Sequence, residues 1–455
     1  MSAAAVRAEV RPVISYQEVL ALDPRPKPGI LGEHTVDLGV EPVKASRYTS
    51  AEFFKGEIEK VWTKTWQYVC REEDVPNTGD TYVYDLLNKT LIVTRQADGS
   101  LKAMQNVCLH RGRKLVTAGG CKQQFRCPYH GLVWNTDGSF RENPFGWDFP
   151  QIDPKRFSLP EIRLETWAGF VFINFDPNAA PLLEQLAPMP EHFERWRIQD
   201  CYRVAYVGKV AHANWKACAE AFIEAHHVFA THPQLNPTNG YESGQYDVLS
   251  DHVTRFMNPG GMTPTVYKDQ EMDEERRIQL VAAGGQRSGG KANFPPEPGM
   301  TARNYAGEMG RRTLSADTGY DFSDVCDAEM VDGIAYDFFP NFHLWGGFRD
   351  KICYRFRPVD MDHEKTLIEV MLYRIAPKDQ PKPPPAQLNM LGEDDLWSSA
   401  TELAFLAGVY DQDQSNLGPV QEGLRALGDG EIQFGKYLEV RCRNLHRMVD
   451  QYMQR

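Results

Sequence analysis

Hydrophobic and polar positions change their period along the chain, and each change marks a structural unit. Residues 1–48 hold no sustained period, and the piece from Pro24 to Gly32 is rich in proline and glycine. They read as an extended N-terminal arm that could lie on a neighbouring subunit. A helix is expected from Thr49, because Thr49 and Glu52 have capping-box spacing and Phe54, Ile58, Val61 and Trp62 recur at helical intervals. From Asp80 the period shortens. Thr81 to Leu86, Thr90 to Arg95 and Leu101 to Val107 predict short strands, with Asp98-Gly99 as a turn. Leu132 to Trp134 and a turn at Asp137-Gly138 follow, and the apolar strand Phe170 to Phe175 closes the series. The expected unit is a small antiparallel β domain over residues 49–177.

Prolines between Pro181 and Pro190 mark the boundary with a larger unit, residues 178–455. Arg203 to Val210 predicts its first strand, followed by a helix from Asn214. Further strands are expected at Ile334 to Phe339, His343 to Phe348, Ile352 to Phe356 and Thr366 to Tyr373. Leu438, Cys442, Leu445, Val449 and Tyr452 form one helical stripe near the end. Residues 258–325 are polar and Gly/Pro-rich with few periodic apolar positions, as expected of a lid or entrance. Pro377 to Pro385 reads as a stiff surface connection. Pattern alone therefore gives a mixed α and β chain of two domains.

Composition narrows the function classes. The 455 residues can bury a large core. A net charge of −12 argues against a nucleic-acid partner. Nine cysteines at irregular spacing form no disulfide framework. Met1 to Val13 lack an apolar core of signal-peptide length, and no apolar run is long enough to span a bilayer. The expected location is the cytoplasm, without a membrane partner.

The chemistry concentrates in two places. Cys108-Leu109-His110 and Cys127-Pro128-Tyr129-His130 each offer one thiolate and one imidazole. Zinc motifs usually pair like ligands at each end, so one of each per loop suits a [2Fe–2S] cluster with two Cys on one iron and two His on the other. Replacing two thiolates by imidazoles raises the potential to about −150 to +300 mV. Gly112 and Gly131 let the backbone turn close to the cluster. A structural zinc site is the competing reading; a red-brown protein separates it from a colourless one. The second place is the segment Asn214 to His232. On a helix, Glu220, Glu224 and His227 share a stripe, and such groups among apolar residues need a polar purpose. His227 and His232 are about 140° apart on an ideal helix, so both reach one metal only if the helix loosens, for which Pro233 provides a reason.

These residues resemble the large (α) subunits of Rieske non-haem iron ring-hydroxylating oxygenases. Respiratory Rieske proteins carry two further cysteines, where this chain has Arg113 and Tyr129. The resemblance extends through Asn214-Trp215-Lys216, an acid, and His-x4-His. It implies an antiparallel-β Rieske domain inserted in a helix-grip (START-like) catalytic domain, of α+β class. It also implies a mononuclear Fe(II) held by His227, His232 and a distant carboxylate. That carboxylate is Asp413, which precedes Gln421-Glu422-Gly423 by the family's interval, with Asp411 as runner-up. His226 is an alternative ligand standing where a tyrosine is usual, and Ala221 stands where many dioxygenases have asparagine. Glu224 takes the place of a carboxylate that joins an iron-ligating histidine to a Rieske histidine, His110 or His130, of the adjacent subunit, with Glu220 as the alternative. The implied protein is a terminal oxygenase, a homotrimer or α3β3 assembly. Its electrons come from NAD(P)H through a separate reductase or ferredoxin, and it hydroxylates an aromatic or related organic substrate with O2. The resemblance implies substrate contacts from the inner helix, residues 258–325, and the strand around Asn341, Phe342, His343 and Trp345. An oxidative demethylase of the same family, or a Rieske electron carrier with a ligand-binding domain and no second iron, are the alternatives.

Overall fold

The alternating segments after Asp80 form the expected β unit. A computed structural model describes residues 13–267, 272–284 and 294–455. Most of the N-terminal stretch read for a signal peptide, and parts of the segment 258–325, lie outside the described residues. A seven-stranded antiparallel sheet runs in the order Gln67–Arg71, Phe170–Asn174, Glu161–Trp167, Leu101–Gln105, Lys89–Arg95, Asp80–Leu86 and Gly120–Cys121. A separate three-stranded sheet, Phe125–Arg126, Val133–Trp134 and Phe140–Glu142, carries the second Cys/His loop at its edge. Val69, Leu91 and Val93 turn inward into one core, whereas Ile92 and Met104 pack beneath the loops with Cys108 and Cys127.

The larger sheet has eight strands, antiparallel except for the short last one. Their order is Gln245–Val248, Val253–Asn258, Gly333–Phe338, Phe342–Trp345, Lys351–Pro358, Thr366–Ile375, Cys201–Ala211 and Asn389–Met390. One face is covered by the helix Trp215–Glu220 and by the long helix Phe405–Leu427. Cys218, Ala219, Ile223, Ala407 and Leu417 pack there against Tyr354, Phe356, Ile368 and Val370. The sheet thus grips the helix that leads to His227. The N-terminal segment lies on this same body. Tyr16 donates to Asp332 at 2.7 Å, Arg255 donates to the carbonyl of Gly32 at 2.7 Å, and Val43–Lys44 pairs with Glu431–Ile432. With residues from both ends on the larger body, the β unit is an insertion, as expected.

Four expectations need correction. The first helix does not start at Thr49. A short helix, Ser46–Thr49, ends there, and Ala51–Glu57 begins after Ser50, whose side chain accepts from the Phe53 N–H at 3.1 Å. Leu438 precedes the last helix, Val440–Gln454. The segment 258–325 contains the helices Glu274–Gly284 and Ala302–Thr318. Finally, no single helix spans Asn214 to His232. It ends at Glu220, and a second one, Val228–Thr231, follows.

Asn214, Trp215 and Lys216 fix where the inner helix starts. The Asn214 side chain accepts from the Lys216 N–H at 3.0 Å, and its amide donates to the carbonyls of Tyr48 and His363. Lys216 and Trp215 both donate to Glu57, at 2.7 and 3.2 Å. The Lys216–Glu57 pair is completely buried. The two sheets are locked together by Arg355, which forks onto Glu369 while donating to the carbonyls of Tyr68 and Val69.

Candidate metal centres and substrate cavity

The two Cys/His loops are built alike. The Cys108 N–H donates to the Arg113 carbonyl and the Gly112 N–H to the Cys108 carbonyl; Cys127, Leu132 and Gly131 repeat both bonds. Gly112 at φ +75° and Gly131 at φ +79° take the left-handed conformation that these turns require. The rings of His110 and His130 meet with centroids 4.6 Å apart, and Cys108 and Cys127 are buried between the loops. Both His Nδ1 atoms are buried without a hydrogen-bond partner, a costly state for a polar atom that has nothing to bind. Two thiols and two orphaned imidazole nitrogens fit a Rieske cluster. Burial and the adjacent Cys127 push the Cys108 thiol up, while the N–H groups of His110 and Arg111 pull it down. Burial, then His110 and Arg111, lower His130. Arg113 and Tyr129 stand where a bridging disulfide would be, and all nine cysteines are free.

The second centre forms where the inner helix breaks. Beyond Glu220 the chain makes tight turns, with the Phe222 N–H bonded to the Ala219 carbonyl at 2.9 Å. The Ile223 carbonyl, freed from helix, accepts from Arg441 at 3.1 Å. Pro233 follows the short helix Val228–Thr231, so both histidines flank it. His227 Nε2 lies 3.7 Å and His232 Nε2 2.8 Å from Asp413 Oδ1. The three ligand atoms lie within 4.8 Å of one another, so the loosened helix brings both imidazoles to one point. The opposite nitrogens are already engaged: His227 Nδ1 by Glu224 Oε1 at 2.5 Å, His232 Nδ1 by Gln412 Oε1 at 2.8 Å. Both Nε2 atoms therefore face inward. Two imidazoles and one carboxylate on one side of a cavity fit a non-haem iron site. Burial would lower His232, but Asp413 and Gln412 hold it above its ordinary value.

The runner-up residues go elsewhere. Asp411 accepts from the N–H groups of Trp397 and Ser398, at 2.6 and 3.2 Å, and caps a turn. His226 is 40% exposed, with Nδ1 2.7 Å from Glu224 Oε2. Glu220 Oε1 accepts from Tyr48 and meets His446 Nε2, each at 2.8 Å, and Glu220 shares no helical stripe with Glu224. Burial works against the charge on Glu224, but hydrogen bonds from His226 and His227 outweigh it and hold its carboxyl at about 2.

Asp413, His227 and His232 lie in the wall of a cavity of about 250 Å³. Phe222, Phe256, Trp345, Ile352, Tyr354 and Leu403 are among its apolar lining. Of the strand expected to touch substrate, Trp345 lines this cavity. Phe342 instead packs on Tyr68, Phe170 and Phe172, and His343 is bound to Asp337. Residues 402–409, Tyr354 and Gln412 carried no sequence signal of their own.

A paired Cys/His cluster fold and a two-histidine, one-carboxylate set in one chain define the class of Rieske non-haem iron proteins. The chain belongs to the ring-hydroxylating α-subunit family: residues 191–455 match its catalytic-domain model, and residues 65–151 match the Rieske [2Fe-2S] domain. It is 30% identical to the carnitine monooxygenase oxygenase subunit of Escherichia coli K12 over 200 residues, 42% of this chain and 52% of that protein. It is 33% identical to the large oxygenase component of the naphthalene 1,2-dioxygenase system of Pseudomonas putida over 194 residues, 40% of this chain and 42% of that protein. The matched stretch spans about half the length of the curated relatives. Among solved structures, a quaternary ammonium Rieske monooxygenase superposes with a TM-score of 0.65 at 20% identity, covering 92% of this chain and 97% of that one. A naphthalene 1,2-dioxygenase bound to phenanthrene gives 0.64 at 20%, covering 92% and 94%. These likenesses show the fold. Among the described residues no helix is long and apolar enough to cross a membrane.

Proposed function

We propose that this chain is the terminal oxygenase of a multicomponent system in the cytoplasm. It would use O2, and electrons from NAD(P)H delivered by a separate reductase or ferredoxin, to hydroxylate an aromatic or related organic molecule. The observation that carries this reading is the juxtaposition of His227, His232 and Asp413 at the wall of an apolar cavity, in a chain that also holds the two Cys/His loops. Cys108, His110, Cys127 and His130 would hold the cluster, and His227, His232 and Asp413 the mononuclear iron. When bound, these groups supply one-electron transfer and activation of dioxygen. The chain's own residues orient and protect. Glu224 and Gln412 each accept a proton-bearing Nδ1 and leave the Nε2 atoms free for metal. The apolar walls hold the substrate and keep water out.

Glu224 has the second task of the family's bridging carboxylate. In a head-to-tail ring, a trimer or α3β3, it would join His227 to a Rieske histidine of the adjacent subunit. A second reading, oxidative demethylation or hydroxylation of a quaternary ammonium compound, is supported by the carnitine monooxygenase relatives. The test is reductase-driven oxygen uptake with product analysis, over aromatic acids, aromatic hydrocarbons and quaternary ammonium compounds. One class should give uptake coupled to an oxygenated product. Glu224→Gln should keep both metals and slow that turnover severely. Fully loaded, reducible protein that takes up no oxygen with any of them would overturn the proposal.

A further inference from the structure

Arg349 stands out among the charged residues that line the cavity. It follows the strand Phe342–Trp345, and one guanidinium nitrogen, Nη1, donates to the Val331 carbonyl at 2.7 Å. Among the described residues it has no carboxylate partner. The neighbouring acids are already matched. Asp350 takes a fork from Arg374, at 2.8–3.1 Å, and Asp332 takes one from Arg303. At the iron end, Asp413 meets two histidines, and Glu224 does likewise. Glu402, at the rim, is exposed and binds Asn389. Arg349 is thus left, among the described residues of the lining, as the arginine without a carboxylate partner. Burial pulls Arg349 below its ordinary value, against the pull of Asp350 and Asp332.

The position is as telling as the charge. Arg349 also lines a second cavity of about 300 Å³, walled by Leu280, Val281, Met309 and Leu314 of the two helices in the segment 258–325. Thr238, Gly260, Val331, Arg349 and Asp350 are common to both chambers. Arg349 therefore stands between the chamber of the iron site and the second one. With Nη1 tied to Val331, Nε and Nη2 keep N–H groups for a planar, two-oxygen anion, the geometry a guanidinium matches best.

We infer that Arg349 anchors an anionic group of the substrate, so the cavity takes an aromatic or otherwise apolar molecule carrying a carboxylate. The apolar body would lie against Phe222, Trp345 and Tyr354 beside the iron site, with the acid group at the junction of the two chambers. This assignment rests on the oxygenase reading for the fate of the ligand, but binding itself needs no metal.

The test is calorimetric binding of matched pairs to the metal-loaded protein: benzoate, 2-naphthoate and biphenyl-4-carboxylate, each against its neutral amide. At least one acid should bind roughly tenfold or more tightly than its amide, as a charge-assisted fork provides. Arg349→Gln should abolish that preference, weakening the acid and leaving the amide unchanged. Arg349→Lys, with charge but no fork, should retain part of it. An intact cluster spectrum in each variant shows that it has folded. If no acid is preferred by the wild-type protein, the inference is overturned without recourse to a variant. Equal weakening of acid and amide in Arg349→Gln also overturns it, since Arg349 would then only cap Val331. The same preference should persist in Asp413→Ala. Acid preference without any reductase-driven oxygen uptake would sink the oxygenase reading and leave this one standing. Coupled turnover of neutral substrates without acid preference would do the reverse.

Discussion

Asp411 and Asp413 sit two residues apart on the helix Phe405–Leu427, and their substitutions should have opposite consequences. Two steps turn a helix by about 200°, so the side chains leave on opposite faces. Asp411 accepts two backbone N–H groups at the turn Trp397–Ser399, whose tryptophan is buried against Tyr410. Removing such a cap costs about 1–2 kcal/mol. Asp411→Ala should thus melt a few degrees lower, with its iron retained. Asp413 is the only carboxylate in the three-residue set with His227 and His232. Substitutions that touch only the partners of metal ligands typically cost about 10–100-fold in metal affinity or activity. Loss of the anionic ligand should exceed that range. Asp413→Ala should lose its mononuclear iron on desalting while the cluster absorption and the melting temperature of the metal-free protein change little. Iron per chain by mass spectrometry, the visible spectrum and thermal melts measure all three quantities. Iron lost from Asp411→Ala and kept by Asp413→Ala would refute the assignment.

Three other outcomes are expected. Cys127→Ser should bleach the visible spectrum and abolish reductase-driven turnover; an intact, reducible cluster in that variant would contradict the Rieske assignment. Lys216→Met leaves Glu57 buried without its partner and should cost about 3–5 kcal/mol in chemical unfolding, much of it recovered in the double variant with Glu57→Gln. Burial, with Arg255 next, pulls His192 down to about 4, while an unfolded imidazole titrates near 6.5. Between those values the unfolded chain binds the extra proton, so stability is complete above about 6.5 and falls as pH drops toward 4, by at most about 3 kcal/mol. His192→Gln should remove that part of the slope; a stability difference from the wild type that does not vary with pH would show otherwise.

The candidate ligands could be read from the sequence because metal chemistry restricts residue types and spacing, and neither depends on long-range packing. Cys108, His110, Cys127 and His130 therefore came from their loops alone. The path of the chain around His227 did not. Nothing between Ala221 and Ala225 breaks a helix by propensity; the carbonyl freed at Ile223 is satisfied by Arg441, more than two hundred residues away. The helix Ala302–Thr318 was invisible for a related reason. Its buried face carries Arg303 and Arg311, paired with Asp332 and Asp327, rather than an apolar stripe. It also carries Gly307, where an added Cβ would fall 2.1 Å from Asp327. The interval to Gln421-Glu422-Gly423 favoured Asp413 over Asp411, but the physical reason, which helix face meets the histidines, was not legible in the sequence. Arg349 is one arginine among many until its neighbours are seen to be paired.

The most direct test of the account is to strip the protein of chelatable metal and follow its spectrum and its reductase-driven oxygen uptake together. One iron centre would lie between buried thiols and the other at an open cavity, so only the second should be readily removed. Chelation should leave the red-brown absorption intact and abolish substrate-dependent uptake, which Fe(II) restores and Zn(II) does not. Uptake that survives chelation, or a colour that disappears with it, would contradict the two-centre assignment.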